Sequence, residues 1–194
     1  MSAVETLSAP SLLATTEKLI RERRTIHDFA QDPVPAELIH DALAAACWAP
    51  NHHLTQPWRF YRIGDETREA IARLNATMVT QKKGEAAGEE KYQRWRTIPG
   101  WLVVTSARSD DEQRDLEDYA ATCCVIHNFS LLLWAQGVGV KWTTGAVTRS
   151  EEFYDLTWID PHAERVVGLV WYGKPAEIPM TARSALDEVM VSLP

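Results

Sequence analysis

The sequence has no excess of positive charge, no long apolar run and few cysteines, and each shortage excludes something. Lys and Arg total 20 against 27 Asp and Glu, leaving a formal net charge of −7. Nucleic-acid surfaces are built from surplus Lys and Arg, so no nucleic-acid partner is expected. No apolar stretch approaches the roughly 18 residues needed to span a bilayer, so no membrane partner is expected either. Residues 1–16 lack the basic start and continuous apolar core of a secretory signal, which predicts a cytoplasmic address. Cys47, Cys123 and Cys124 are odd in number and show no CxxC spacing. They fit neither a disulfide framework nor a zinc site, and read as buried small apolar side chains. Gly137 and Gly139 lack the third glycine and the preceding strand of a dinucleotide fingerprint; they read as a helix stop and a close-packing position. Neither a repeat nor a linker divides the chain, so residues 1–194 are expected to form one domain.

What is present alternates helical and strand patterns. Residues 11–24 carry Leu12, Leu13, Leu19 and Ile20 at helical spacing and end in Arg21-Glu22-Arg23-Arg24. After Pro33 and Pro35, a second helix is predicted over about Ala36–Trp48, with Leu38, Ile39, Ala42, Leu43 and Ala46 on one face. Trp58–Ile63 reads as a strand. A helix follows, capped by Asp65 and carrying Ile71, Leu74 and Met78. The charged stretch Thr80–Thr97 reads as a helical excursion or lid whose charges form a solvated face. Trp101–Thr105 reads as a strand, Asp115–Gln136 as a long helix apolar nearly all round, Glu164–Tyr172 as a strand and Ala185–Met190 as a short last helix. Together these predict an α+β sandwich around a central sheet.

Two segments carry chemistry. In Ala49-Pro50-Asn51-His52-His53-Leu54-Thr55-Gln56-Pro57, two prolines bracket residues that are polar except for Leu54. A loop stiffened in this way loses little further entropy on meeting a ligand and suits a planar heterocycle. Upstream, Arg23-Arg24-Thr25-Ile26-His27 combines guanidinium groups and a hydroxyl, a set suited to phosphate. The same arginines could instead complement a helix C-terminus. His52-His53 could be an ordinary polar loop, and a zinc site would need two further ligands that do not stand out.

The chain resembles the FMN-dependent nitroreductase family, in its short, minimal-size form. The resemblance runs from about residue 16 to 188. It rests on Arg23-Arg24-Thr25 with Phe29, Ala49-Pro50-Asn51-His52 with Gln56-Pro57-Trp58-Arg59-Phe60, the long helix to Gly139, Lys141-Trp142-Thr143-Thr144-Gly145-Ala146, and the strand ending Gly168-Leu169-Val170-Trp171-Tyr172-Gly173.

The resemblance implies a nitroreductase-like fold, with helices flanking a mixed, mostly antiparallel sheet. It also implies a homodimer with FMN at the subunit interface. Arg23, Arg24 and Thr25 would hold the phosphate and ribityl chain, and His27 would approach the pyrimidine edge, where Arg or Lys is common in the family. Pro50, Asn51, His52 and Gln56 would come from the partner subunit. Trp142, Thr143, Thr144 and Gly145 would border the isoalloxazine, and Arg183 would reach the phosphate. The implied activity is transfer of reducing equivalents from NADH or NADPH to a nitroaromatic, quinone or related small-molecule acceptor in ping-pong order. The chemistry would be carried at flavin N5, without a catalytic side chain. A flavin-binding store or sensor of the same fold, and a flavin-free dimeric scaffold, are the competing readings.

Overall fold

The computed structural model of the protein describes residues 9–194. Helix α1 (Ala9–Glu22) leads through an extended segment to α2 (Ala36–Ala46). Pro35 occupies the N-cap position of α2 at φ −56° and ψ 137°, and Ile39, Ala42 and Ala46 form the buried face. Strand β1 (Trp58–Arg62) precedes a helical hairpin, α3 (Asp65–Lys83) and α4 (Glu85–Arg96), turned at Gly84. Strand β2 (Gly100–Ala107) runs into α5 (Glu112–Ala135). The Asp111 side chain caps α5 by accepting from Gln113 N at 2.9 Å and Arg114 N at 3.0 Å, and Gly137 ends it at φ 73°. Strand β3 (Gly139–Thr143), helix α6 (Glu151–Thr157) and strand β4 (Glu164–Gly173) complete the core elements.

The four strands lie in the order β1-β2-β4-β3, and every ladder is antiparallel. The expected mixture of directions is therefore not found within the sheet. The parallel contribution is an isolated bridge, Thr25 to Val140. One face of the sheet packs on α2 and α5 through Val104, Val125, Phe129, Val140 and Val170. The other is covered by α3, α4 and α6, with Trp95, Trp101, Val103, Phe153 and Trp171 inside. Among the described residues, no helix is long and apolar enough to cross a membrane.

Several expectations are corrected. Ala185–Met190 is not a helix; a single 3-10 turn, Leu186–Glu188, forms there with no buried residue, and a lone turn without a packed face gains too little to propagate. Gly64, not Asp65, stands at the N-cap of α3, and Asp65 is its first helical residue, paired with Arg68 at 2.9 Å. Helix α5 buries one face, and Leu116, Cys124 and His127 lie exposed in this chain. The cysteines are not buried: Cys47 and Cys123 are partly exposed and Cys124 is exposed. Helix α6, which the sequence reading passed over, is held at its start by Ser150 Oγ accepting from Phe153 N at 3.3 Å.

Candidate functional site

The segment following α1 is laid against the edge of β3. Thr25 bridges Val140, and Ile26 N donates to Val140 O at 3.1 Å. Gly139 makes this approach possible, because Ile26 occupies the space where its Cβ would stand. A little further on, Phe29 bridges Pro175 and Ala30 N donates to Lys174 O at 2.9 Å. One stretch of chain is thus fixed between β3 and the tail that follows β4.

Three arginines gather at the start of that stretch. Arg23 is partly buried, and its guanidinium has no hydrogen bond or ion pair among the described residues. Burial, and then the charges of Arg183 and Arg24, hold it below its ordinary pKa. Arg183 thus reaches the Arg23 neighbourhood although 160 residues separate them in sequence. Arg24 partly follows the blander expectation: its Nη1 donates to Arg21 O at 2.6 Å and to Arg23 O at 3.0 Å, closing the end of α1. The helix itself stops at Glu22, so Arg23 is free of that duty.

A second basic group gathers on the other side of Thr25. His27 is exposed, and its pKa is lowered by burial of its ring and then by Lys141 and Arg94, against an opposing pull from Asp28. Arg94 of α4 donates to His27 O at 3.3 Å and faces Asp28 Oδ1 at the same distance. Lys141 is half-buried on β3 with Nζ 5.0 Å from the Trp171 ring. Burial, then Arg94 and Lys91, lower its pKa. The sequence reading missed Lys91, Arg94 and Lys141. It took the charges of Thr80–Thr97 for a solvated face, whereas α4 brings two of its cations to the rim that His27 occupies. The signal available was Lys141 inside the Lys141–Gly145 motif.

Trp142 and Thr143 are the last residues of β3, and Thr144 and Gly145 follow directly where it ends. The Trp142 indole lies across Gly168 of β4 and donates from Nε1 to Val167 O at 3.0 Å. Thr144 and Gly145 are exposed, and the Thr144 carbonyl accepts from Arg149 Nη1 at 2.7 Å. Beside Thr144 opens a cavity of about 960 Å³, lined among others by Tyr119, Arg149, Tyr154 and Arg165.

The loop Pro50–Gln56 is built differently. His53, Leu54 and Gln56 have φ of 54°, 52° and 44°, left-handed values that cost a side-chain-bearing residue about 1–3 kcal/mol each. The turn is tied internally, with Gln56 N donating to Asn51 Oδ1 at 2.9 Å, and the rings of His52 and His53 stack at 4.0 Å. It is also tied to α5. His52 Nδ1 meets Glu117 Oε2 at 2.6 Å, and Thr55 Oγ1 donates to Asp118 Oδ1 at 2.5 Å. Gln113 first, then His52, hold the Glu117 carboxyl below its usual range. Among the described residues, no hydrogen bond or ion pair joins this loop to the Arg23–His27 segment or to Trp142–Gly145. Nor does any group of three or more His, Cys, Asp and Glu among them form a metal-binding cluster.

In this chain, then, Thr25 lies against β3, Arg24 and Arg183 lie near Arg23, and His27 lies near Lys141, while the Pro50–Gln56 loop is tied to α5 through His52 and Thr55. The basic groups and the Thr25 hydroxyl are of the kind that hold a phosphate-bearing ligand.

The profile of the Nitroreductase family matches residues 20–174. The chain is 34% identical over 165 residues to the Bacillus subtilis protein named Putative NAD(P)H nitroreductase YfhC, covering 83% of this chain and 84% of that one. Among solved structures, a nitroreductase-like family protein from Bacillus cereus superposes with a TM-score of 0.81 at 29% identity, covering 91% of this chain and 95% of that one. The FMN-dependent nitroreductase NfnB from Mycobacterium smegmatis, solved in complex with NADPH, superposes with a TM-score of 0.76 at 15% identity, covering 94% of this chain and all of that one (100%).

Proposed function

The chain belongs to the nitroreductase family, and from that premise we propose that it is an FMN-dependent oxidoreductase using NADH or NADPH to reduce nitroaromatic, quinone or related small molecules. Arg23 carries the cofactor reading. A half-buried guanidinium beside two further arginines, with no carboxylate among the described residues to neutralise it, is binding chemistry for a phosphate dianion.

FMN, when bound, would accept a hydride equivalent from the nicotinamide and supply electrons to the acceptor. The chain's residues bind, orient and tune. Arg23, Arg24 and Arg183 would hold the phosphate, and the Thr25 hydroxyl would stand beside the ribityl chain. Trp142, Thr143, Thr144 and Gly145 would border the ring. Lys141 and Arg94 would supply positive charge along the pyrimidine edge, where reduction accumulates negative charge. A preorganised donor at such a position is worth about 2.7–4 kcal/mol in comparable oxyanion sites. Lys141 and Arg94 help to lower the His27 pKa, so the positive charge at this edge would come from those two cations and His27 would serve as a polar contact.

Pro50, Asn51, His52 and Gln56 would complete the neighbouring subunit's site in a homodimer. Trp48, Leu54 and Leu116 leave a protomer with large exposed apolar side chains around this loop and α5, as an interface requires. Donor and acceptor would use one open ring face in turn, which gives ping-pong order.

The test is an absorption spectrum of the purified protein followed by anaerobic addition of NADH and then NADPH. Bound flavin that bleaches with either donor is the expected result. Flavin that neither donor reduces would favour storage or sensing, and a colourless protein that takes up no FMN would overturn the cofactor assignment.

A further inference from the structure

We propose that Asp118 and Glu117, adjacent carboxylates on α5, are positioning residues that set the Asn51–Gln56 loop in its flavin-binding geometry. The proposal rests on the reading of that loop as a flavin-facing segment. Neither carboxylate would touch the cofactor; both would act through the loop.

The loop's backbone does not favour its own conformation. Three of its six residues, His53, Leu54 and Gln56, are left-handed without being glycine. Such a conformation persists where surrounding structure over-determines it. Here the two outside restraints come from consecutive residues of one helix: Glu117 meets His52 near the start of the loop, and Asp118 meets Thr55 near its end. Neighbouring helical side chains diverge by about 100°, so the pair can reach two separate points on the loop.

The Asp118 carboxylate is 5% exposed, and its nearest cation, Arg114 Nε, stands 3.8 Å away on the solvent side. Helix packing alone would be served as well by an apolar residue of similar volume, since burying a carboxylate costs desolvation. A carboxylate accepts only, so the Thr55 hydroxyl must donate, which fixes the rotor and the backbone that carries it. The second clamp is built on the same logic. Glu117 Oε1 accepts from Gln113 Nε2 at 2.9 Å, which leaves its other oxygen aimed at His52.

The experiment titrates FMN into apoprotein of the wild type, Thr55→Val, Thr55→Ser, Asp118→Asn and Val125→Ala, with a thermal melt of each. Val125 is fully buried on the same helix, seven residues beyond Asp118, and takes part in neither clamp, so its truncation lowers stability while leaving both hydrogen bonds in place. Thr55→Val should weaken FMN binding about tenfold, the effect of one lost charge-assisted hydrogen bond, and Asp118→Asn, whose amide oxygen can still accept from Thr55, should weaken it in the same direction by less. Thr55→Ser should restore it, and Val125→Ala should lower Tm while keeping wild-type affinity. Wild-type affinity in both Thr55→Val and Asp118→Asn overturns the positioning role alone. So does a loss in Val125→Ala that matches theirs, which would trace the effect to stability. A wild type that takes up no FMN overturns the flavin reading and this proposal with it.

Discussion

Gly139 and Ile26 are packed so closely that a Cβ on the glycine would fall 2.3 Å from Ile26 Cγ1. Ile26 is fully buried and its neighbours Thr25 and His27 belong to the candidate site, so this contact sets how the site segment lies on β3. Gly139→Ala should cost about 1–3 kcal/mol, the usual penalty for overpacking, and should weaken FMN binding as the segment lifts. Gly137→Ala provides the contrast. Its φ of 73° strains a side chain, but nothing lies within 4 Å of the new Cβ, so stability should fall while FMN affinity holds. Denaturant titrations paired with FMN titrations separate the two; equal loss of affinity in both variants would remove the special role of Gly139.

Arg23 and Arg24 should behave differently when truncated, although they are adjacent. Arg23 has no partner among the described residues and is repelled by Arg183 and Arg24. Arg23→Ala should therefore leave apoprotein stability unchanged or raised, while FMN affinity falls by about 1.5–3 kcal/mol, roughly 10- to 150-fold. Arg24 closes the end of α1 through Arg21 O, so Arg24→Ala should lower the melting temperature as well as FMN affinity. Calorimetric titration and melting of the two apoproteins checks this. A destabilised Arg23→Ala apoprotein with wild-type FMN affinity would show that its charge serves the fold.

Lys141 tests the electrostatic half of the site. Its folded pKa lies below the ordinary value of 10.5, from burial first and then from Arg94 and Lys91. The fold therefore disfavours its charged form. That penalty is present below the folded pKa and lifts as pH rises from there toward 10.5. Lys141→Met removes it, so at pH 7 the apoprotein should melt no lower than wild type. The loaded protein should show a more negative midpoint potential, by on the order of 30 mV, because a cation near the pyrimidine edge is lost. Lys141→Arg should keep the potential near wild type. Redox titration of the three proteins decides, and equal potentials in Met and Lys would place Lys141 outside the flavin's field.

Much of this architecture can be read in the sequence because its cues are local. Ile39, Ala42 and Ala46 announce α2 by spacing, and the apolar run of β2 announces a strand buried on both faces. Arg23-Arg24-Thr25 and Trp142–Gly145 stand out as motifs, but their meeting depends on Thr25 pairing with Val140, which no local pattern encodes. Arg94 and His27 are 67 residues apart, and on an exposed charged helix Arg94 looks like any solvated cation. The loop Pro50–Pro57 is conspicuous, yet its clamps come from Glu117 and Asp118, 65 and 63 residues away. Cys124 was misplaced because apolar content alone does not tell which side of a long helix faces the sheet.

Tyr61 ties β1 to β4 across β2 and should give the fold an alkaline limit. Its hydroxyl donates to Glu164 Oε1 at 2.8 Å, and Glu164 also accepts from Thr105 of β2. Burial first, then Glu164, push the Tyr61 pKa from 10 up to about 12. The fold thus favours the neutral phenol, which can still donate to the carboxylate. Its contribution to stability is complete below pH 10 and is lost as pH rises toward and through 12, since the unfolded chain releases the proton first. Tyr61→Phe should be less stable at pH 8, because Glu164 loses a donor, and its stability should fall less steeply between pH 10 and 12. Denaturant midpoints at pH 8, 10, 11 and 12 measure both effects. A Phe variant that declines as steeply as wild type would assign the alkaline transition to another group, such as Tyr172, whose pKa burial also raises.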